Sequence, residues 1–233
     1  MKRTLGIVLG LVFVASAAIA QGSRDAVAVD PAHHQVILEN DHVRVFQGMA
    51  SPGARSPMHT HPPFVFVSLG RARMRMTGVD GAAQIVDMHP FQVGWVPTAE
   101  HSWERLSGQA QAIGGDTKAA RQGTVRGPVS RSAADPVTVD PTHHHVILEN
   151  DHVRVFEVLA SPGAKSPMHT HSPFVLISLE RARARLTLPD GSTSILDLHP
   201  GQAIWLENAS HSWELLSGQL TVIGVEVKAA ATP

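Results

Sequence analysis

Apolar and polar positions alternate along most of the chain with the two-residue period of β-strands, and the runs are short. Val36-Ile37-Leu38 and Val43-Arg44-Val45-Phe46 flank Glu39-Asn40-Asp41, where adjacent Asn and Asp favour a tight reversal, so this stretch predicts a hairpin. Further on, Arg181-Ala182-Arg183-Ala184-Arg185-Leu186 alternates strictly, meets Asp190-Gly191 and resumes at Ile195-Leu196-Asp197-Leu198. Alternation on both sides of Asp-Gly is a strong short-range hairpin signal. Proline and glycine interrupt the pattern about every dozen residues, as a sandwich or barrel requires. Helical periodicity is lacking outside the N-terminal apolar run. The expected class is all-β.

The pattern is written twice. V-D-P-A-H-H-Q-V-I-L-E-N-D-H-V-R-V-F begins at Val29, and V-D-P-T-H-H-H-V-I-L-E-N-D-H-V-R-V-F begins at Val139, 110 residues later. The two copies align without a gap over 92 positions, of which 59 are identical. A repeat of this length predicts two small domains, residues 29–120 and 139–230. Residues 121–138 carry Gly, Pro, Ser and three arginines without apolar periodicity and read as a linker. Pairing of the two barrels about a pseudo-twofold, or a homo-oligomer, would help domains this small bury enough apolar surface.

The N-terminus has a different character. Lys2 and Arg3 precede an apolar stretch from Leu5 to Ala18, and Ala18-Ile19-Ala20 has the small-x-small form of a cleavage site. Residues 1–20 are expected to be a signal peptide, the mature chain to start at Gln21, and the protein to be periplasmic or secreted. With the signal removed, no stable membrane anchor is expected; the run is short for an uncleaved span.

Composition narrows the chemistry. The formal net charge is −1 and there is no basic run, which argues against nucleic acid as the main partner. Cysteine is absent, so thiolate metal sites, thiol nucleophiles and disulfides are excluded. Histidine stands out: fifteen residues, all within the two repeats. His59-Thr60-His61 and His169-Thr170-His171 place two imidazoles on one strand face. His101 and His211 follow 40 residues later in H-S-W-E segments. If those strands lie side by side, three imidazoles converge in each copy, a set suited to a divalent ion of iron, manganese, zinc, nickel or copper.

The other candidates are weaker. His33, His34 and His143 to His145 read as surface or domain-edge residues at the start of the first strand. His42, His152, His89 and His199 read as structural. Glu104 and Glu214 fall on the strand face opposite His101 and His211, and so should leave the site. Gln92 and Gln202 are candidates to hydrogen-bond a ligand imidazole. Val65, Val67, Trp95 and Trp103, with Val175 and Trp213 in the second copy, are candidates for an apolar wall. The arginine ladders Arg71, Arg73, Arg75 and Arg181, Arg183, Arg185 read as solvated strand faces, with a pocket for an anionic substrate as the alternative.

These motifs resemble the cupin superfamily. Its first motif, G-x5-H-x-H-x3–4-E, is matched by Gly53 with His59 and His61, and by Gly163 with His169 and His171. The motif's glutamate would fall at Val65 or Phe66, and at Val175 or Leu176, so it is missing from both copies. The second motif is echoed by Pro97, Gly201, His101 and His211; its glycine is Phe91 in the first copy, its proline Glu207 in the second, and its asparagine Arg105 and Leu215. The D-P-x-H…E-N-D-x-V-R-V opening also resembles small exported single-cupin proteins. The resemblance implies two tandem double-stranded β-helix (jelly-roll) barrels, each holding a metal. The surviving set is similar to that of the three-histidine cupin oxygenases. It implies a metal-dependent oxidoreductase of dioxygenase type acting on a small molecule, with a non-catalytic metal- or ligand-binding module as the alternative.

Overall fold

The computed structural model describes residues 24–118, 132–207 and 210–228. The expected signal peptide lies outside these residues, as does most of the expected linker. The chain divides into two compact units, one on each side of Gly123/Thr124, with the same element order.

In the first unit a one-turn helix, α1 (Ala26–Val29), precedes nine strands: β1 (His34–Glu39), β2 (Val43–Ala50), β3 (Arg55–His61), β4 (Phe64–Ser68), β5 (Ala72–Gly78), β6 (Ala83–Met88), β7 (Val93–Val96), β8 (Ala99–Gly108) and β9 (Ala110–Thr117). The second unit repeats them as α2 (Pro136–Val139), β10 (His144–Glu149), β11 (Val153–Ala160), β12 (Lys165–Thr170), β13 (Phe174–Ser178), β14 (Ala182–Thr187), β15 (Thr193–Leu198), β16 (Ala203–Leu206), β17 (Ser210–Gly218) and β18 (Leu220–Val227). The two helices are departures from the sequence expectation, since one turn is too short to show a period. All of α2 but Val139 also lies within the stretch expected as linker. Each helix is held from both ends: Asp25 accepts the Val27 amide, and the Asp30 amide returns to the Ala26 carbonyl.

Each unit pairs a five-stranded antiparallel sheet, β1-β2-β9-β4-β7 or β10-β11-β18-β13-β16, with a four-stranded one, β3-β8-β5-β6 or β12-β17-β14-β15. Apart from one hairpin in each sheet, the neighbours are non-consecutive, which makes this a jelly roll rather than a meander. The two expected hairpins are present as β1–β2 and β14–β15. Between the sheets of the first unit lie Phe46, Phe64, Phe66, Met74, Met88, Trp103 and Val96, an apolar filling into which the histidines of β3 and β8 project. Glycine is required at one place in each filling. A Cβ on Gly114 would stand 2.2 Å from Phe46 Cζ, and one on Gly224 2.1 Å from Phe156 Cζ, so a bare backbone lets each ring lie across β9 or β18.

Candidate metal centre

His59 and His61 lie on β3 and His101 lies opposite His59 on β8. Strand alternation alone does not explain their surroundings. From Ser56 to His59 the chain advances three residues while its partner advances two, from Trp103 to His101. The extra residue is a β-bulge at Pro57-Met58, and it puts Ser56 and His59 on the same inner face. Both are buried, at 3% and 0% exposure. The second unit has the same bulge between Ser166 and His169.

The bulge also fixes the imidazole. His59 Nδ1 lies 2.8 Å from the Pro57 carbonyl oxygen, which only accepts, so Nδ1 carries the hydrogen and Nε2 presents a lone pair. That Nε2 is buried without a hydrogen-bond partner, and the same holds for His169 Nε2, whose Nδ1 lies 2.7 Å from the Pro167 carbonyl. Ser56 Oγ, 3.1 Å from His59 Nδ1, also bonds the buried Asp30 carboxylate. Asp30 in turn accepts from His33 Nδ1 at 2.9 Å. Burial pushes the Asp30 carboxyl up, but the bonds from Ser56 and His33 outweigh it and leave its pKa below the usual value.

The structure adds a histidine that the sequence reading assigned to the surface. His34 is only 6% exposed, because the turn through Asp30 swings its ring inward and offers the Asp30 carbonyl to its Nδ1 at 3.3 Å. Its ring centroid stands 4.8 Å from that of His59 and 5.4 Å from that of His61. One nitrogen each from His34, His59 and His61 lies within 4.8 Å of the other two, and His144, His169 and His171 form the matching trio. His101 closes the group, with its centroid 4.8 Å from His59 and 5.3 Å from His61; His211 lies 4.7 Å from His169 and 5.4 Å from His171. Each unit therefore gathers four buried imidazoles. His33 and His143 are half-buried with edges against Trp103 and Trp213, and His145 is exposed.

Burial sets the charge state. It holds His34 down at about 4 and His101 at about 3, helped in both by repulsion from His59. Burial likewise places His144 and His171 at about 3, and pushes His61 well below its ordinary value. At neutral pH these imidazoles are uncharged, with their lone pairs available. A buried acceptor left without a donor costs about 1–3 kcal/mol, so several in one place mark a site shaped for an electrophile. The donor set fits a divalent transition-metal ion, for which neutral imidazole is the common protein ligand.

Charged groups stand behind the cluster. Arg44, on the same sheet as Phe46, donates Nε to Asp116 at 3.0 Å and both terminal nitrogens to Asp25 at 2.9 and 2.8 Å. Arg154 is held likewise by Asp135 and Glu226. Phe46 stacks on His61 at 5.4 Å, and Phe156 on His171 at 5.0 Å.

Trp103 and Trp213 line the interior beside the cluster, as expected. Val65 and Val175 do not. On β4 it is Phe64 and Phe66 that enter the core, and on β13 Phe174 and Leu176, so the valines between them face the other side of the sheet. Gln92 and Gln202 are also corrected: each side-chain oxygen caps the turn before its strand, accepting the His89 or His199 amide at 3.0 or 2.9 Å. Glu104 sits on the outer face, where Arg55 and Arg75 reach it at 2.8 and 2.7 Å. Glu214 pairs outside with Lys165 and Arg185. The arginine ladders are exposed, with Arg73, Arg75, Arg183 and Arg185 paired with Asp87, Glu104, Asp197 and Glu214, which is a solvated face.

No family model matches the chain, and no curated protein does. Solved structures do match. An oxalate decarboxylase, from work on an element that modulates its proton-coupled electron transfer, aligns at 14% identity over 89% of this chain and 72% of that one, with a TM-score of 0.55. Oxalate decarboxylase from Bacillus subtilis, in a study of its Mn(II) centres, gives 13% identity, the same coverage and a TM-score of 0.52. The chain has the bicupin fold. A cupin domain from Bordetella pertussis aligns with 37% of this chain and 92% of its own length at 23% identity and a TM-score of 0.34. At these identities the bicupin likeness concerns the fold, and the chemistry must come from the residues of the site.

Proposed function

We propose that this bicupin binds one divalent metal ion in each unit, through His34, His59, His61 and His101 in the first and His144, His169, His171 and His211 in the second. The observation that carries this reading is the pair of buried four-imidazole clusters, one in each unit, with unsatisfied nitrogens on His59 and His61 and on His144, His169 and His171. The Mn(II) centres of the structurally similar oxalate decarboxylase support a metal in this fold without fixing its identity.

The activity proposed is that of an exported oxidoreductase of dioxygenase type on a small molecule. A bound ion would be held by the four imidazoles and would supply Lewis acidity and a redox couple. The chain's own residues exclude water with Phe46, Phe64 and Trp103, and they orient His59 through Pro57 and Ser56. The buried carboxylates nearby are engaged: Asp30 by Ser56 and His33, and Asp116 by Arg44. That engagement favours a second reading, a non-catalytic metal- or ligand-binding module.

Coordination chemistry separates the two. The chain loaded with Co(II) and titrated with azide should show an azide-dependent change in its visible spectrum if positions are open. An unchanged spectrum on a loaded chain would favour the binding module.

A further inference from the structure

The two clusters are nearly superposable in sequence, but the carboxylates behind them differ. Across from Arg44 the first unit has Asp116; across from Arg154 the second has Glu226. The extra methylene changes what the side chain reaches. Glu226 Oε2 accepts Arg154 Nε at 2.5 Å, while Oε1 stands 3.4 Å from His171 Nδ1. Both groups are sealed from solvent, Glu226 at 0% exposure and His171 at 3%. Neither Oε1 nor Nδ1 makes a hydrogen bond, so their approach is a charge contact between two otherwise unsatisfied atoms. In the first unit His61 Nδ1 is buried and unbonded, with no carboxylate contact of this kind.

We infer that Glu226 is a positioning residue that makes the second unit's site the tighter of the two, so that the units load with metal in order. The inference rests on the metal reading above. A carboxylate oxygen 3.4 Å from Nδ1 favours the Nδ1–H tautomer by its charge, which leaves Nε2 as the lone-pair nitrogen and raises its basicity toward a cation. The net charge of the group behind the cluster is the same in both units, one arginine and two carboxylates. The difference is therefore one of reach. Changes to such outer partners alter metal affinity by about 10- to 100-fold.

The test is calorimetric titration of the full chain with Co(II) in two backgrounds. H59A/H61A leaves the second site, and H169A/H171A leaves the first. The second site should bind at least about tenfold more tightly. In the first background E226D, which retains the charge and copies the residue that already serves Arg44, should lower the affinity to that of the first site. In the second background D116E should raise it. Melting curves check that each variant is folded, and D116E tests the idea from the other side, without touching Glu226. Equal affinities of the two sites, or a folded E226D chain that binds as tightly as its parent, would overturn the inference and leave the metal reading intact. An unsubstituted chain that binds no Co(II) would overturn both.

Discussion

Single side chains decide most of what the site can do, and His34 is the most instructive. At the start of a strand, two adjacent histidines must point to opposite faces, and nothing in the alternation says which face is inside. The turn made by Asp30 settles it, turning His34 inward and leaving His33 on the Asp30 carboxylate. The sequence signal was present in the repeated D-P-x-H-H, but its meaning lay in a hydrogen bond. H34A should weaken Co(II) binding in the first unit by at least about tenfold, the scale of lesser changes to outer partners, with little change in melting temperature. Unaltered affinity in a titration would remove His34 from the ligand set. Gly114 tests the packing behind the cluster. A methyl group there overlaps Phe46, which stacks on His61, so G114A should destabilise the unit by about 1–3 kcal/mol in urea unfolding. Phe91 is a contrasting case: it adopts a left-handed φ of 66° where the second unit has Gly201 at 82°. F91G should therefore raise the melting temperature slightly, because the strain of about 1–2 kcal/mol exceeds the entropy glycine adds to the unfolded chain.

Among the elements, β3 is the one that the strand period describes least well. Two-residue spacing puts His59 and His61 together, and without interruption it would put Ser56 on the far face. The bulge at Pro57-Met58 brings it back, and proline inside a strand was its only trace in the sequence. On β8 the period holds from His101 to Glu104, which is why the outward direction of Glu104 was legible. The irregularity on that strand comes later, between Met74 and Arg73 of its partner β5. Deleting Met58 should flatten β3; Ser56 and His59, then two residues apart, stay on one face, but the bulge no longer brings the Pro57 carbonyl against His59 Nδ1, so metal binding in the first unit should weaken. Titration of that variant with Co(II) should show the first unit binding about tenfold more weakly, and unchanged affinity would show that the bulge is dispensable. The one-turn helices were not legible because their stability comes from Asp25 and Asp135, whose partners Arg44 and Arg154 lie far along the chain.

For the whole molecule, the repeat and the hairpins made the two-unit jelly roll readable, since a period of two and a gapless self-alignment do not depend on tertiary contacts. The orientation of β4 and β13 was not readable: runs such as Phe64-Val65-Phe66-Val67 are apolar on both faces, so Val65 and Val175 could not be assigned a side. Both clusters also impose one shared pH response. His34 is held at about 4, and His101, His144 and His171 at about 3, below the ordinary 6.5. The unfolded chain thus binds more protons than the folded one between these values, and stability present above 6.5 is lost as the pH falls toward 3. Each histidine contributes at most about 1.4 kcal/mol per pH unit in that window. Urea unfolding of the metal-free chain should show this decline beginning below pH 6.5, and a flat profile down to pH 4 would contradict the burial assigned to the rings.

The central claim is that each unit holds one metal ion on its own imidazoles, and it is tested most directly by counting metal per chain after loading and desalting. The account predicts two ions on the unsubstituted chain, one on H59A/H61A, one on H169A/H171A and none on the fourfold variant. Equal metal on the unsubstituted and fourfold chains would contradict it.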